Sequence, residues 1–375
     1  MECPNCSTPH PEAARFCARC GTPLHPGIDR SRHFAAHPEE PVRALAVIST
    51  MMPHLSGGRH HIYRAAIAVA LVAAALAAAF GSLPIALVLA AIALPAVVLT
   101  YMHDHGVWRG EPVTVIAVAF LLSLALGTGV GFLEYYFAQP VLLFAPSRQL
   151  PSITEILELG LVVGVVTFIA LLITPVLMTA RSAFAHPVDG VVACSLSGSA
   201  LSLGMSIVVQ RGAFTHLVAI TGDPAHVAFI ALTLGFVQPV LFATAAAVAV
   251  LPLRGAPANA ALGLAKGAVL LIVYEVAATL LTPYGTRGVV ITTLVALVLA
   301  AIGVLASRAG LHRALLAEAQ AALDGGAPLS RAPDSDQICA QCGAAIGAGA
   351  GFCQVCGTAS AALARHALPA IQPSA

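Results

Sequence analysis

Apolar residues fall along this chain in long unbroken blocks, not at a strand or surface-helix period. A bilayer crossing needs about 20 such residues. Eight blocks approach or exceed that length: 62–80, 83–102, 112–137, 156–180, 188–210, 225–250, 260–282 and 287–306. They predict eight transmembrane helices in a membrane domain spanning 62–306. Only Gly81 and Ser82 separate the first two, which predicts a tight hairpin. Pro95, Pro175 and Pro239 fall inside the second, fourth and sixth blocks, where a proline frees a carbonyl and kinks the helix. The stretches GTGVG (127–131) and SLSGSALSLG (195–204) are dense in small residues, which lets helices approach closely.

The flanks have a different grammar. Residues 25–61 are rich in Pro, His and Arg and read as a linker. Within it VRALAVISTMM (42–52) is apolar but too short to span, and is expected on the membrane surface. After the last block, 307–326 carries Leu311, Leu315, Leu316 and Leu323 at helical spacing and ends in Gly-Gly, so it predicts a separate juxtamembrane amphipathic helix. Residues 327–337 read as a second linker and 359–375 as a disordered tail. The acids of EEPVR (39–43) read as solvated.

Composition agrees: 58% hydrophobic and 9% charged residues, against roughly 25% charged in soluble domains. The fold class is an all-α polytopic membrane protein with a small module at each end. The polar, cysteine-rich start does not read as a cleavable signal peptide. An even number of spans puts both termini on one side. With them inside, eight basic residues flank the inner ends (Arg59, Arg64, Arg109, Arg181, Arg254, Lys266, Arg308, Arg313), against three outside (Arg148, Arg211, Arg287). That bias predicts a multi-pass plasma (inner) membrane protein with both termini cytoplasmic.

The two end modules share one spacing. CPNC…CARC occupies 3–20 and CAQC…CQVC occupies 339–356, each with gaps of two, ten and two residues between cysteines. Two CxxC turns complete a tetrahedral four-thiolate site, the preferred set for structural zinc. Cys3, Cys6, Cys17 and Cys20 are expected to hold one ion, and Cys339, Cys342, Cys353 and Cys356 a second, in zinc ribbons over 1–24 and 338–358. Paired disulfides would need an oxidising compartment, against the predicted topology. With four ligands the sites are closed, so they predict structure and contact with a protein partner, not catalysis. Nucleic acid is not expected as a partner: the first module has Arg15 and Arg19, and the second has no basic residue. Cys194 reads as a buried apolar residue.

A carboxylate inside a span is costly and marks a candidate site. Glu134, Glu158 and Glu275 are such residues, all in the predicted outer half. They define a possible intramembrane polar site for a proton or cation. The alternative is that Glu134 and Glu158 reach the outer interface. The flanking His103 and His105 of HDH read as a solvated loop.

Two blocks resemble the PrsW-type family of glutamic intramembrane proteases. In LPAVVLTYMHDHGVWRGEPVTVIAVAFLLSLALGTGVG (94–131), Glu111 and Pro112 stand where that family has an acidic-Pro pair before a long helix. In AHPVDGVVACSLSGSALSLGM (185–205), Pro187, Asp189 and Gly190 match its Pro-aliphatic-Asp-Gly opening of a Gly-rich helix. The resemblance covers about residues 62–285 and implies the membrane fold. It does not carry the chemistry. The family's Glu-Glu-Lys motif would fall near Thr167 and Phe168, its Phe-x-x-x-Glu at Leu201 and Met205, and its His near Gln238 or Pro239. The resulting expectation is a non-catalytic, pseudo-protease scaffold or sensor. The alternatives are a protease with displaced residues, using Glu134 or Glu275, and a transporter or channel built on the proline-broken helices.

Overall fold

The computed structural model of the protein describes residues 1–27, 29–55, 60–80, 83–104, 113–138, 151–181, 184, 186–211, 223–255, 259–325 and 337–363. After a short helix α1 (Val47–Met51) come α2 (His60–Ala79), α3 (Leu83–Asp104), α4 (Val113–Ala138), α5 (Ile153–Thr179) and α6 (Pro187–Val209). Helix α7 begins at Pro224–Leu232, passes through a π turn at Thr233–Val237 and continues over Gln238–Gly255. Helices α8 (Ala260–Leu281) and α9 (Thr286–Gly325) complete the bundle.

Each of the eight apolar blocks is a helix. Seven, α3 to α9, are long and apolar enough to cross a membrane; α2 contributes a shorter apolar stretch, His61–Ala77. This is the make-up of a multi-pass membrane protein. In α6 and α7, 89% of a membrane-length window is buried, against 22% in α4. Helices α6 and α7 are therefore the core, and α4 is a peripheral helix. The π turn in α7 lies directly before Pro239, which has no N–H to return to the preceding turn. Shifted hydrogen bonding absorbs that defect. Helix α5 has its own π turn at Ile156–Val162, after a capping box formed by Ser152 and Glu155.

The small residues bring backbones into contact. A Cβ on Gly127 would stand 2.1 Å from the Leu201 carbonyl oxygen, and one on Gly204 2.3 Å from the Leu124 carbonyl oxygen. Helices α4 and α6 thus interlock glycine against main chain. Gly198 does the same against Ala243 of α7. We expect Gly204→Val to lower stability by about 3 kcal/mol or more, since neither backbone can give way. Gly129→Ala, which points its Cβ into open space, should be neutral or stabilising. Thermal unfolding of the two variants in one detergent checks the pair; equal melting points would disprove the interlock.

Three sequence expectations change. The described part of the 307–326 stretch, to Gly325, is not a separate helix but the continuation of α9, one helix of 40 residues. Its Ala, Leu and Arg residues are good helix formers with no proline among them, so nothing breaks the helix at the end of the apolar block. The stretch 42–52 does not simply lie on a surface: Val42, Met51 and Met52 are buried, with Phe34, Ala35 and Leu55 around them, while Leu45 stays exposed. Ser195 of α6 donates to the Met51 carbonyl at 3.0 Å, and His54 meets the Tyr101 hydroxyl of α3 at 2.9 Å. A segment too short to span can still bury its face against the end of the bundle. Finally, the start of the presumed tail is ordered: Ser360–Ala362 form a buried turn, and the Ala359 amide donates to the Ala35 carbonyl at 2.9 Å. Residues 364–375, the second linker up to 336, and Glu111, Pro112 and His105 lie outside the described residues.

Candidate metal centres and the clasp beneath them

Each CxxC turn is closed in the same way. The amide after the second cysteine donates to the carbonyl of the first: Ser7 to Cys3, Gly21 to Cys17, Gly343 to Cys339 and Gly357 to Cys353, at 2.8–2.9 Å. That hydrogen bond requires a left-handed residue. Gly21, Gly343 and Gly357 have φ of 70°, 74° and 77°, and Ser7 has φ 53°. This is why a small or glycine residue follows each pair.

The turns bring the sulfurs together. Within Cys3, Cys6, Cys17 and Cys20, and within Cys339, Cys342, Cys353 and Cys356, all Sγ atoms lie within 4.8 Å of one another. Cys3–Cys20 is 3.6 Å, Cys6–Cys17 3.5 Å, Cys339–Cys356 3.6 Å and Cys342–Cys353 3.7 Å. A zinc–sulfur distance of about 2.3 Å gives a tetrahedral edge of about 3.8 Å, whereas a disulfide needs about 2.0 Å. Both sulfur sets fit zinc, and neither is bonded as a disulfide. Four thiolates fill the coordination sphere, so each site is a structural one.

The second shells differ. In the first ribbon Thr8 and Thr22 place hydroxyls 3.2 and 3.1 Å from Cys6 and Cys20, and His10 Nε2 lies 3.1 Å from Cys17. In the second, Thr358 stands 3.0 Å from Cys356. Ala344 and Ile346 replace Thr8 and His10, and Cys342 is exposed.

The ribbons are paired. The Phe16 amide donates to the Gln354 carbonyl at 3.0 Å, and the Phe352 amide donates to the Ala18 carbonyl at 2.9 Å. Phe16 and Phe352 each precede the third cysteine of their module, and Ala18 and Gln354 each follow it. The contact is therefore self-complementary, like a two-fold dimer built within one chain. Arg30 lies over the Phe352 ring, 4.1 Å from its centroid, and donates to the Gly21 carbonyl. Both ribbons consequently sit on one face of the bundle.

A buried arginine ties this pair to the membrane helices. Arg308 of α9 is fully buried. It donates to Glu40 at 2.7 Å, Ser49 at 3.0 Å and the Pro41 carbonyl at 3.2 Å, and its guanidinium lies 3.8 Å from the Phe34 ring centroid. Ser49 also donates to Glu40 at 2.6 Å. One turn on, His312 Nδ1 accepts from the Ala35 amide at 3.1 Å. Leu323 packs on the first ribbon's cysteine cluster. The reading of EEPVR as solvated is corrected: Glu40 is held by α9, and Glu39 accepts a hydrogen bond from Gln341 of the second ribbon. Burial pushes the Glu40 carboxyl up, but Ser49 and Arg308 outweigh it and hold the group below its ordinary 4.5.

Of the membrane carboxylates, Glu275 on α8 is buried, with Oε1 lacking any hydrogen-bond partner. It lies against Gly164 of α5 and within electrostatic reach of Glu134 on α4. Glu275 is thus the buried member of the three, packed from α8 against α5, while Glu134 and Glu158 are only partly covered. Cys194 is fully buried, as expected; His103 is exposed but belongs to the last turn of α3 and not to a loop.

Residues 3–24 match the family of zinc-ribbon domains. The second ribbon rests on its identical cysteine spacing and sulfur geometry. No curated protein and no solved structure matches the chain. The PrsW-type resemblance therefore stands on its two sequence blocks, without support from a relative.

Proposed function

We propose that this is a non-catalytic membrane scaffold, with a diverged PrsW-type membrane domain and two zinc ribbons that form one cytoplasmic platform for a protein partner. The observation that carries this reading is the self-complementary pairing of Phe16 with Gln354 and Phe352 with Ala18. Two closed metal sites, fused through their main chains and bolted to α9 by Arg308, make a rigid surface with no open coordination position. The parity of the chain supports the topology. Ribbons in contact require an even number of crossings between them, so α2 acts as the eighth crossing beside the seven longer helices. The arginine bias then puts both ribbons in the cytoplasm, where thiolates persist. The inner (plasma) membrane is the corresponding location.

The residues at the family's motif positions support a non-catalytic reading: Thr167, Leu201, Met205 and Gln238 are not the general acids or bases that would activate water for amide attack there. The test is reconstitution with candidate membrane substrates, plus reporter tags at both ends. Cleavage abolished by Glu275→Gln, or an external signal from either tag, would overturn the reading.

A second reading rests on Glu275. A buried carboxylate whose Oε1 has no hydrogen-bond partner among the described residues is a candidate site for a proton or a cation and fits a transporter or a protease with displaced residues. Proton or cation flux into vesicles that is lost in Glu275→Gln would favour it.

A further inference from the structure

A cavity of about 420 Å³ opens between α7, α8 and α9 at the end of the bundle that carries the ribbons. Val248, Leu251, Leu262 and Ala314 give it apolar lining, and Asn259, Lys266 and Arg313 give it polar lining. Lys266 is the chain's single lysine and sits within the apolar run AALGLAKGAVLL. Among the described residues no carboxylate pairs with Lys266 or Arg313. Arg313 uses Nε on the Ala309 carbonyl at 3.2 Å, which leaves the ends of its guanidinium available. Helix α8 starts at Ala260, beside Asn259, so the positive end of its dipole lies at the same place.

Two cations with no carboxylate partner among the described residues, at the rim of an apolar bundle, suit an anion, and the adjoining surface says what kind. Leu262 lines the cavity and is exposed, and Ile302 and Leu305 are exposed on α9 within about one helical turn of Ala306 in its lining. They continue its apolar lining onto the lipid-facing surface. A free phosphate would satisfy the cations but leave that lining bare. An amphiphile with a phosphate head satisfies both.

We infer that this cavity binds the headgroup of an anionic phospholipid from the ribbon-side leaflet, with Lys266 and Arg313 as counter-ions and the acyl chains lying along α8 and α9. The site is separate from the ribbons and independent of the scaffold reading. Basic pockets between membrane helices take such headgroups, at about 1 kcal/mol per cation.

The experiment uses the full-length, zinc-loaded protein in neutral detergent, titrated with fluorescent phosphatidylglycerol and with phosphatidylcholine. Phosphatidylglycerol should bind about thirtyfold more tightly, from two cations at about fivefold each. Lys266→Gln and Arg313→Gln should each cost about fivefold and together remove the preference, whereas Lys266→Arg should keep it. Lys266 and Arg313 are exposed, so the glutamine variants should melt with the parent. Equal binding of the two lipids, or an undiminished preference in the double variant, would overturn the proposal. So would displacement of the lipid by inorganic phosphate at the lipid's own concentration, which would mark a free-phosphate site.

Discussion

Chelation is expected to release two zinc ions per chain, one from each four-cysteine cluster, and to unfold the ribbons while leaving the membrane helices intact. Neither ribbon has a large apolar core of its own, although Phe352, Ala359, Ala361 and Ala362 of the second join the core of the bundle. The first is built around Cys3, Cys17 and Cys20, and the second around Cys339, Ile346, Ala350, Cys353 and Leu363. Structural zinc supplies about 10–16 kcal/mol to such folds near neutral pH, which exceeds anything these few side chains contribute. Far-ultraviolet circular dichroism should hardly change, because the helices carry the signal. Protease cutting within residues 1–24 and 338–358 should rise by orders of magnitude. The order of loss is also expected. The second ribbon should release its metal first, because Cys342 is exposed and Ala344 and Ile346 stand where the first ribbon has Thr8 and His10. Outer-shell partners of this kind change metal affinity by about 10–100-fold. Its collapse should then expose Phe16, which pairs with it. A chelator titration followed by mass spectrometry under native conditions reads both points; simultaneous release would refute the asymmetry, and unchanged proteolysis would refute the structural role.

The ribbons were legible in the sequence because their chemistry is local: four cysteines, two turns and a left-handed residue after each pair lie within one short segment. The eight helices were legible for a different reason. In lipid every backbone polar group must be satisfied within its own helix, so long apolar runs have one solution. What the runs hide is orientation. Helices apolar on every side carry no stripe to say which face turns inward, and so the burial of Glu275 against α5, with Glu134 and Glu158 only half-buried, could not be derived. Glu40 was hidden by distance. Its partner Arg308 is 268 residues away, and an acidic, proline-rich stretch resembles any solvated linker. The available signal was on the other side: SRAGLHR places an arginine directly after an apolar block that continues as helix without a break, and a cation there needs a counter-charge. The pairing of the ribbons was equally silent, since main-chain hydrogen bonds leave no mark on side-chain identity.

Replacing Arg308 by methionine is expected to detach the 34–55 segment from α9. The guanidinium touches Glu40, Ser49, the Pro41 carbonyl and the Phe34 ring, and its loss leaves the Glu40 carboxylate in a partly closed site with Ser49 alone. Breaking a buried pair on one side costs about 3–5 kcal/mol. Amide hydrogen exchange over Phe34–Leu55 should therefore accelerate by more than about a hundredfold, while exchange in the cores of α6 and α7 stays slow. Methionine at both positions 308 and 40 should recover part of the loss, because the larger share of the penalty is the orphaned charge and not the missing attraction. The pH dependence has a definite sign. Glu40 is held below its ordinary 4.5 by Ser49 and Arg308 against the opposing effect of burial. The stabilisation it contributes is thus fully present above about 4.5 and is lost as pH falls through the depressed native value. Removing Arg308 takes away part of what holds the carboxyl down, so the acid-induced opening of the segment should begin at higher pH in Arg308→Met than in the parent. Exchange rates that match the parent across this range would mean that the segment is held by its apolar contacts at Met51, Met52 and Leu55, and that the buried arginine is incidental to the clasp.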